Sequence, residues 1–95
     1  MYYEAIIQLR PADKEILKFI NKQIGKKKGK VSVAKIVELK TGVDIYLTSQ
    51  RFALSLGRML KKSFKGELKI TRSLYKISRI TSKKIYRLTV CFRKQ

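Results

Sequence analysis

Histidine and tryptophan are absent from this 95-residue chain, Cys91 and Pro11 are its lone cysteine and proline, and Asp plus Glu number 6. Each shortage removes a class of function. Without histidine, the side chain that most readily exchanges protons near neutral pH is missing, and so is every zinc site built on imidazole. One cysteine forms neither an intramolecular disulfide framework nor a thiolate metal cluster, which points to a reducing compartment, the cytoplasm. No apolar run approaches the roughly 18 residues of a membrane span, and the first residues lack a signal-peptide pattern. A membrane partner is not expected.

The carboxylates Glu4, Asp13, Glu15, Glu38, Asp44 and Glu67 are scattered. Only Asp13 and Glu15 fall close together, at the start of an expected helix, where acids favour the helix dipole for structural reasons alone. No glycine-rich phosphate loop and no nucleophile elbow is present. Catalysis, a cofactor and a small-molecule substrate are therefore not expected of this chain.

What the chain has in excess is positive charge. Its 24 Lys and Arg give a formal net charge of +18. Hydrophobic residues still make up 44% of the sequence, which suits a folded domain rather than a disordered one. Self-repulsion of this size is relieved by a polyanion, so nucleic acid is the first partner to consider.

Residues 1–95 read as a single α/β domain. Tyr3, Ala5, Ile7 and Leu9 alternate along an opening strand that Pro11 breaks. Asp13 then caps an amphipathic helix over 13–24, with Ile16, Leu17, Ile20 and Ile24 on one side and Lys14, Lys18 and Lys22 on the other. Gly25 is its expected stop. Strands over 31–40 and 43–48 follow, joined at Thr41-Gly42, with Val43, Ile45 and Leu47 inward and Asp44 and Tyr46 outward. Ser49 caps a second helix with an apolar stripe of Phe52, Ala53, Leu56, Met59, Leu60 and Phe64, and Gly66 ends it. Gly57 weakens this helix by roughly 1 kcal/mol relative to Ala, which is expected where something packs closely. The remainder is β-rich, with a turn at Thr81-Ser82. The order β-α-β-β-α-β-β predicts an α+β fold, a mixed sheet with two helices on one face, as in ferredoxin-like or KH-like two-layer sandwiches. Strand-like runs at both ends are the pattern expected of a domain excised from a longer protein; a small complete protein is the alternative.

Three clusters are candidates for RNA contact. The loop Lys26, Lys27, Lys28 and Lys30, flanked by Gly25 and Gly29, can follow a phosphate backbone as point charges; it also reads as a solvated polar turn. Its glycines are four apart, so the GXXG loop of KH domains is not matched. In the C-terminal hairpin, one face carries Tyr75, Ile77, Tyr86, Leu88, Val90 and Phe92 and the other Arg72, Lys76, Arg87 and Arg93 mixed with Ile70, Leu74 and Ile85, although a bulge would change which face Arg72 joins. The end of the second helix carries Arg58, Lys61, Lys62 and Lys65, where cations also favour the dipole. No strand shows the spaced aromatics of a base-stacking platform, and Tyr46 is the best exposed aromatic. Backbone charge and shape are thus the expected mode of recognition. The alternative is a protein-interaction module whose basic face meets an acidic partner.

Two segments carry a resemblance. Tyr3-Glu4-Ala5-Ile6-Ile7-Gln8-Leu9-Arg10 resembles the strand that follows the zinc region in the large-ribosomal-subunit export adaptors, the family historically named for nonsense-mediated mRNA decay (NMD). Gly42-Val43-Asp44-Ile45-Tyr46-Leu47-Thr48-Ser49 is similar to that family's Gly-x-Asp-aromatic-Tyr run, and Ser73-Leu74 with Tyr86-Arg87-Leu88-Thr89 follows it more loosely. The resemblance implies a factor that docks on the large ribosomal subunit through ribosomal RNA, with ribosomal proteins or maturation factors as further partners. The family's zinc is held by Cys-x-x-Cys motifs in an N-terminal region that this sequence lacks, so zinc is not expected in this chain. The eukaryotic export tail is absent too, so nuclear export is not expected to carry over, which fits an archaeal member or a fragment.

Overall fold

The computed structural model describes residues 3–27, 29–77, 80 and 84–95, with the backbone alone for 75–77 and 84–85. Strand β1 (Ala5–Arg10) leads to helix α1 (Lys14–Lys26), the strand pair β2 (Val33–Leu39) and β3 (Gly42–Leu47), helix α2 (Gln50–Ser63), and the long hairpin β4 (Gly66–Ile77) and β5 (Lys84–Lys94). This is the expected element order, and it forms one mixed five-stranded sheet in the order β2-β3-β1-β5-β4. The strand placed against β1 is β5, parallel to it, so the last two strands enter the sheet in reverse sequence order.

Local chemistry sets the helix boundaries. The Asp13 carboxylate accepts from the Glu15 and Ile16 N–H groups, and the Ser49 hydroxyl from that of Phe52. Helix α1 runs through Gly25 and is capped by Lys27, whose N–H reaches the Ile24 and Gly25 carbonyls. Gly66 begins β4 rather than closing α2, which ends at Ser63 with Phe64 as its C-cap. Lys94 crosses to Asp13 at 2.6 Å. That hydrogen bond, with the Ile16 and Glu15 N–H groups, holds the Asp13 carboxyl below its ordinary range; the same contact raises the Lys94 ammonium.

Period-two alternation divides the sheet into two faces. Ala5, Ile7 and Leu9, Val43, Ile45 and Leu47, and Leu88, Val90 and Phe92 are all buried beneath Ile16 and Ile20 of α1 and Phe52, Ala53, Leu56 and Leu60 of α2. At Gly57 α2 packs tightly on the sheet: a Cβ there would stand 2.7 Å from Val90 Cγ1. The helices cover only the centre of the sheet. Val33 and Ile36 on β2, and Ile70 and Leu74 on β4, share the helix-side register yet remain exposed.

The β4–β5 ladder continues to Ile77 opposite Lys84, whereas β1 pairs with β5 only from Leu88 onward. The hairpin therefore projects as an arm, and the molecule measures 44 × 27 × 25 Å. The expected bulge lies between Leu74 and Lys76. By shifting the register between that point and the turn, it moves Arg72, with Ile70 and Leu74, off the face of Arg87 and Arg93 and onto the helix side, where Arg72 stands opposite Leu88.

Candidate functional site

The other face of the sheet carries no helix. Across it, one register row runs Lys35, Tyr46, Ile6, Thr89, Thr71, and the next Val37, Asp44, Gln8, Cys91, Lys69. Arg10 stands beside Arg93, itself opposite Glu67, at the edge away from the arm. Lys35, Lys69 and Arg93 are exposed. Arg10 is held by Asp44 at 2.7 Å and by the Val43 carbonyl at 3.2 Å. Cys91 is half-buried here.

Toward the arm, this face organises around two tyrosines. The Tyr3 and Tyr46 rings meet edge to face, with centroids 4.8 Å apart. The Arg87 guanidinium lies 3.8 Å from the Tyr3 centroid, and Lys35 Nζ lies 5.1 Å from that of Tyr46. Arg87 also donates to the Tyr3 hydroxyl at 3.0 Å and to its carbonyl at 3.3 Å. A cation thus sits over each ring, where a stacked base would otherwise go. Such a face attracts phosphate more readily than it stacks bases. A hollow of about 240 Å³ beside Arg87 is lined by Ile6, Ser73 and Thr89.

Tyr3 breaks the expected pattern. Period-two alternation puts it on the buried face with Ala5, but β1 begins only at Ala5. Before that, Glu4 turns to accept from the Gln50 N–H at the start of α2, and the Tyr3 ring goes to the helix-free face.

The sequence-predicted residues fall into separate places. Arg87 and Arg93 share the helix-free face, about 20 Å apart at a strand's rise per residue. Arg72 is on the opposite face. Lys76 pairs through its backbone with Ile85, and its side chain lies outside the described residues, as does Lys28 entirely. Lys26, Lys27 and Lys30 are exposed at the arm end of the helix layer. Lys61, Lys62 and Lys65 line a cleft of about 380 Å³ at the opposite end, where Lys61 Nζ donates to the Gly66 carbonyl at 2.8 Å and Glu67 forms part of the wall. Sequence reasoning passed over Lys35, Tyr3 and Arg51. Lys35 could have been found, because it is two residues before Val37 in a strand whose partner carries Tyr46.

Among the described residues no group of three or more Cys, Asp or Glu side chains is placed to hold a metal, and no helix is long and apolar enough to cross a membrane. No curated protein matches the chain. The family model described as NMD3, second domain, matches residues 2–93. The chain belongs to the NMD3 family. For an NMD3 second domain the general setting is that of a ribosome-associated factor, with ribosome-related partners. The two resembling segments are neighbours in space: β1 and β3 pair from Ala5 opposite Leu47 to Leu9 opposite Val43. They lie at the centre of the NMD3 sheet, and the outward residues Asp44 and Tyr46 are part of the helix-free face.

Proposed function

We propose that this domain docks its factor on ribosomal RNA of the large subunit, by backbone charge and shape, in the cytoplasm and without catalysis or a cofactor of its own. The observation that carries this reading is the helix-free sheet face, where Lys35 and Arg87 cover the two tyrosines and Lys69 and Arg93 extend the charge outward. A cationic surface of this kind binds RNA phosphates and is sensitive to salt. Replacing Lys69, Arg87 and Arg93 by Gln should weaken binding to ribosomal RNA fragments at every sequence tested. Unchanged affinity would remove this face from the interface.

A second reading has its own support. Ile70, Leu74 and Tyr86 are exposed around Arg72 on the helix side of the arm. That mixture suits an acidic ribosomal protein or maturation factor. Capture of a ribosomal protein that survives nuclease treatment, and is lost on Leu74→Asp, would favour it.

A further inference from the structure

A second basic surface lies in the helix layer, at the arm end of the molecule. Lys27 closes the turn after α1, its carbonyl accepting from the Lys30 N–H at 2.9 Å and the Val31 N–H at 3.1 Å. The next residue is tied to the end of β3: Ser32 N–H donates to the Thr48 hydroxyl at 3.0 Å, and Thr48 N–H to the Ser32 carbonyl at 3.1 Å. These bonds hold the lysine turn against the first turn of α2. The result is a cleft of about 490 Å³ lined by Lys27, Lys30 and Arg51, with Ser49 and Ser55 hydroxyls and a floor of Val31 and Phe52.

Three properties single this cleft out. No carboxylate lines it. Among the described residues, Lys27, Lys30 and Arg51 make no side-chain hydrogen bond or ion pair, so their charge is unspent. In two other basic clefts among the described residues a cation is already engaged: Arg10 by Asp44 in the cleft with Lys40 and Arg93, and Lys61 by the Gly66 carbonyl in the cleft at the end of α2. Arg51 is also out of place as a helix residue. It stands in the first turn of α2, which contains no acid, and a cation there opposes the helix dipole. The helix end itself is not the site, since the Gln50 and Phe52 N–H groups are taken by Glu4 and Ser49. A concave surface lined by one sign of charge focuses its field on an incoming counter-ion.

We infer that Lys27, Lys30 and Arg51 form a phosphate-binding cleft, and that it holds one phosphodiester of an RNA strand on the layer opposite the helix-free sheet face. The identity of that phosphate as RNA rests on the function proposed above; the cleft's affinity for phosphate does not. Arg51 presents a planar fork to two phosphate oxygens, and the lysines add point charges at the rim.

The test compares three forms of the protein: wild type, the cleft variant Lys27→Gln/Lys30→Gln/Arg51→Gln, and the control Lys14→Gln/Lys18→Gln/Lys22→Gln, which removes equal charge from the exposed side of α1. Each is titrated with a ribosomal RNA fragment across a salt series. Each is also titrated with inorganic pyrophosphate while backbone amide shifts are followed by NMR. The cleft variant should bind RNA roughly tenfold more weakly, the equivalent of one charge-assisted contact, with a salt slope shallower by about 0.7–0.9. The control should lose clearly less. Pyrophosphate should shift the amides of Lys27, Lys30, Arg51 and Ser55 in wild type and in the control, but not in the cleft variant. Equal losses in the two variants, or no loss in the cleft variant, would overturn the inference. If wild type binds no RNA but pyrophosphate still shifts those amides, the phosphate cleft stands with another source of ligand, and the RNA-docking function fails. Absence of both signals removes both.

Discussion

The Arg87 guanidinium lies over Tyr3, 3.8 Å from the ring centroid, and grips the same residue through its hydroxyl and its carbonyl. The contact joins residues 84 positions apart and fixes a cation on the helix-free face. It also carries stability. Tyr3→Ala removes the ring pair with Tyr46 and the cation–π contact, and should lower unfolding free energy by about 1–2 kcal/mol in urea denaturation. Tyr3→Phe should cost less than about 1 kcal/mol, because only the hydroxyl contact is lost.

The same geometry makes charge alone insufficient. Arg87→Lys keeps the positive charge but loses the planar fork that reaches both oxygens of Tyr3. Its RNA affinity should fall toward that of Arg87→Gln, measured by fluorescence anisotropy at fixed salt. Wild-type affinity in Arg87→Lys would mean that only the point charge matters.

Gly57 should resist improvement. Ala raises helix propensity by about 1 kcal/mol, but its methyl would press on Val90 Cγ1 at 2.7 Å and Leu68 Cδ1 at 3.3 Å. Overpacking of a filled core costs about 1–3 kcal/mol, so Gly57→Ala should be net destabilising. In a double-mutant cycle, Val90→Ala should lessen that penalty by making room. Additive losses would show that the two side chains do not compete for the space.

The Asp13–Lys94 contact sets a pH window. Asp13, lowered below 3.8 by its hydrogen bond to Lys94, contributes stability above that ordinary value and loses it as pH falls through the lower, folded-state value. Lys94, raised above 10.5 by Asp13, contributes below 10.5 and loses it as pH climbs through its own folded-state value. Asp13→Asn keeps a capping oxygen but removes the charge. The stability gap between wild type and Asp13→Asn should be constant across the neutral range, close at the acid extreme and narrow at the alkaline one, where the Glu15 and Ile16 N–H groups still favour the charged cap, as read from thermal melts over a pH series.

Much of this fold was legible because its signals are local. Asp13 and Ser49 are caps by residue type, Val43, Ile45 and Leu47 face inward by alternation, and Gly57 marks close packing in an otherwise strong helix. Sheet order was not legible, because a strand's choice of neighbour is a long-range decision. Leu88, Val90 and Phe92 are wholly apolar on one face and take an interior place beside β1, while Arg72 in the matching row of β4 is tolerated only at the edge. Tyr3 was misassigned by extending a strand's period past the strand's first residue. Arg51 carried no signal of its own. A lone arginine in a helix becomes part of a site only when the bonds between Ser32 and Thr48 bring the lysine turn beside it.

The central claim is that this NMD3-family domain docks on the large ribosomal subunit through RNA phosphates. It is tested most directly by binding the domain to purified large and small subunits across a salt series. The account predicts preference for the large subunit, with a log–log salt slope of about −4 to −6, the signature of about six phosphate contacts. Equal affinity for the two subunits, or binding that does not change with salt, would contradict it.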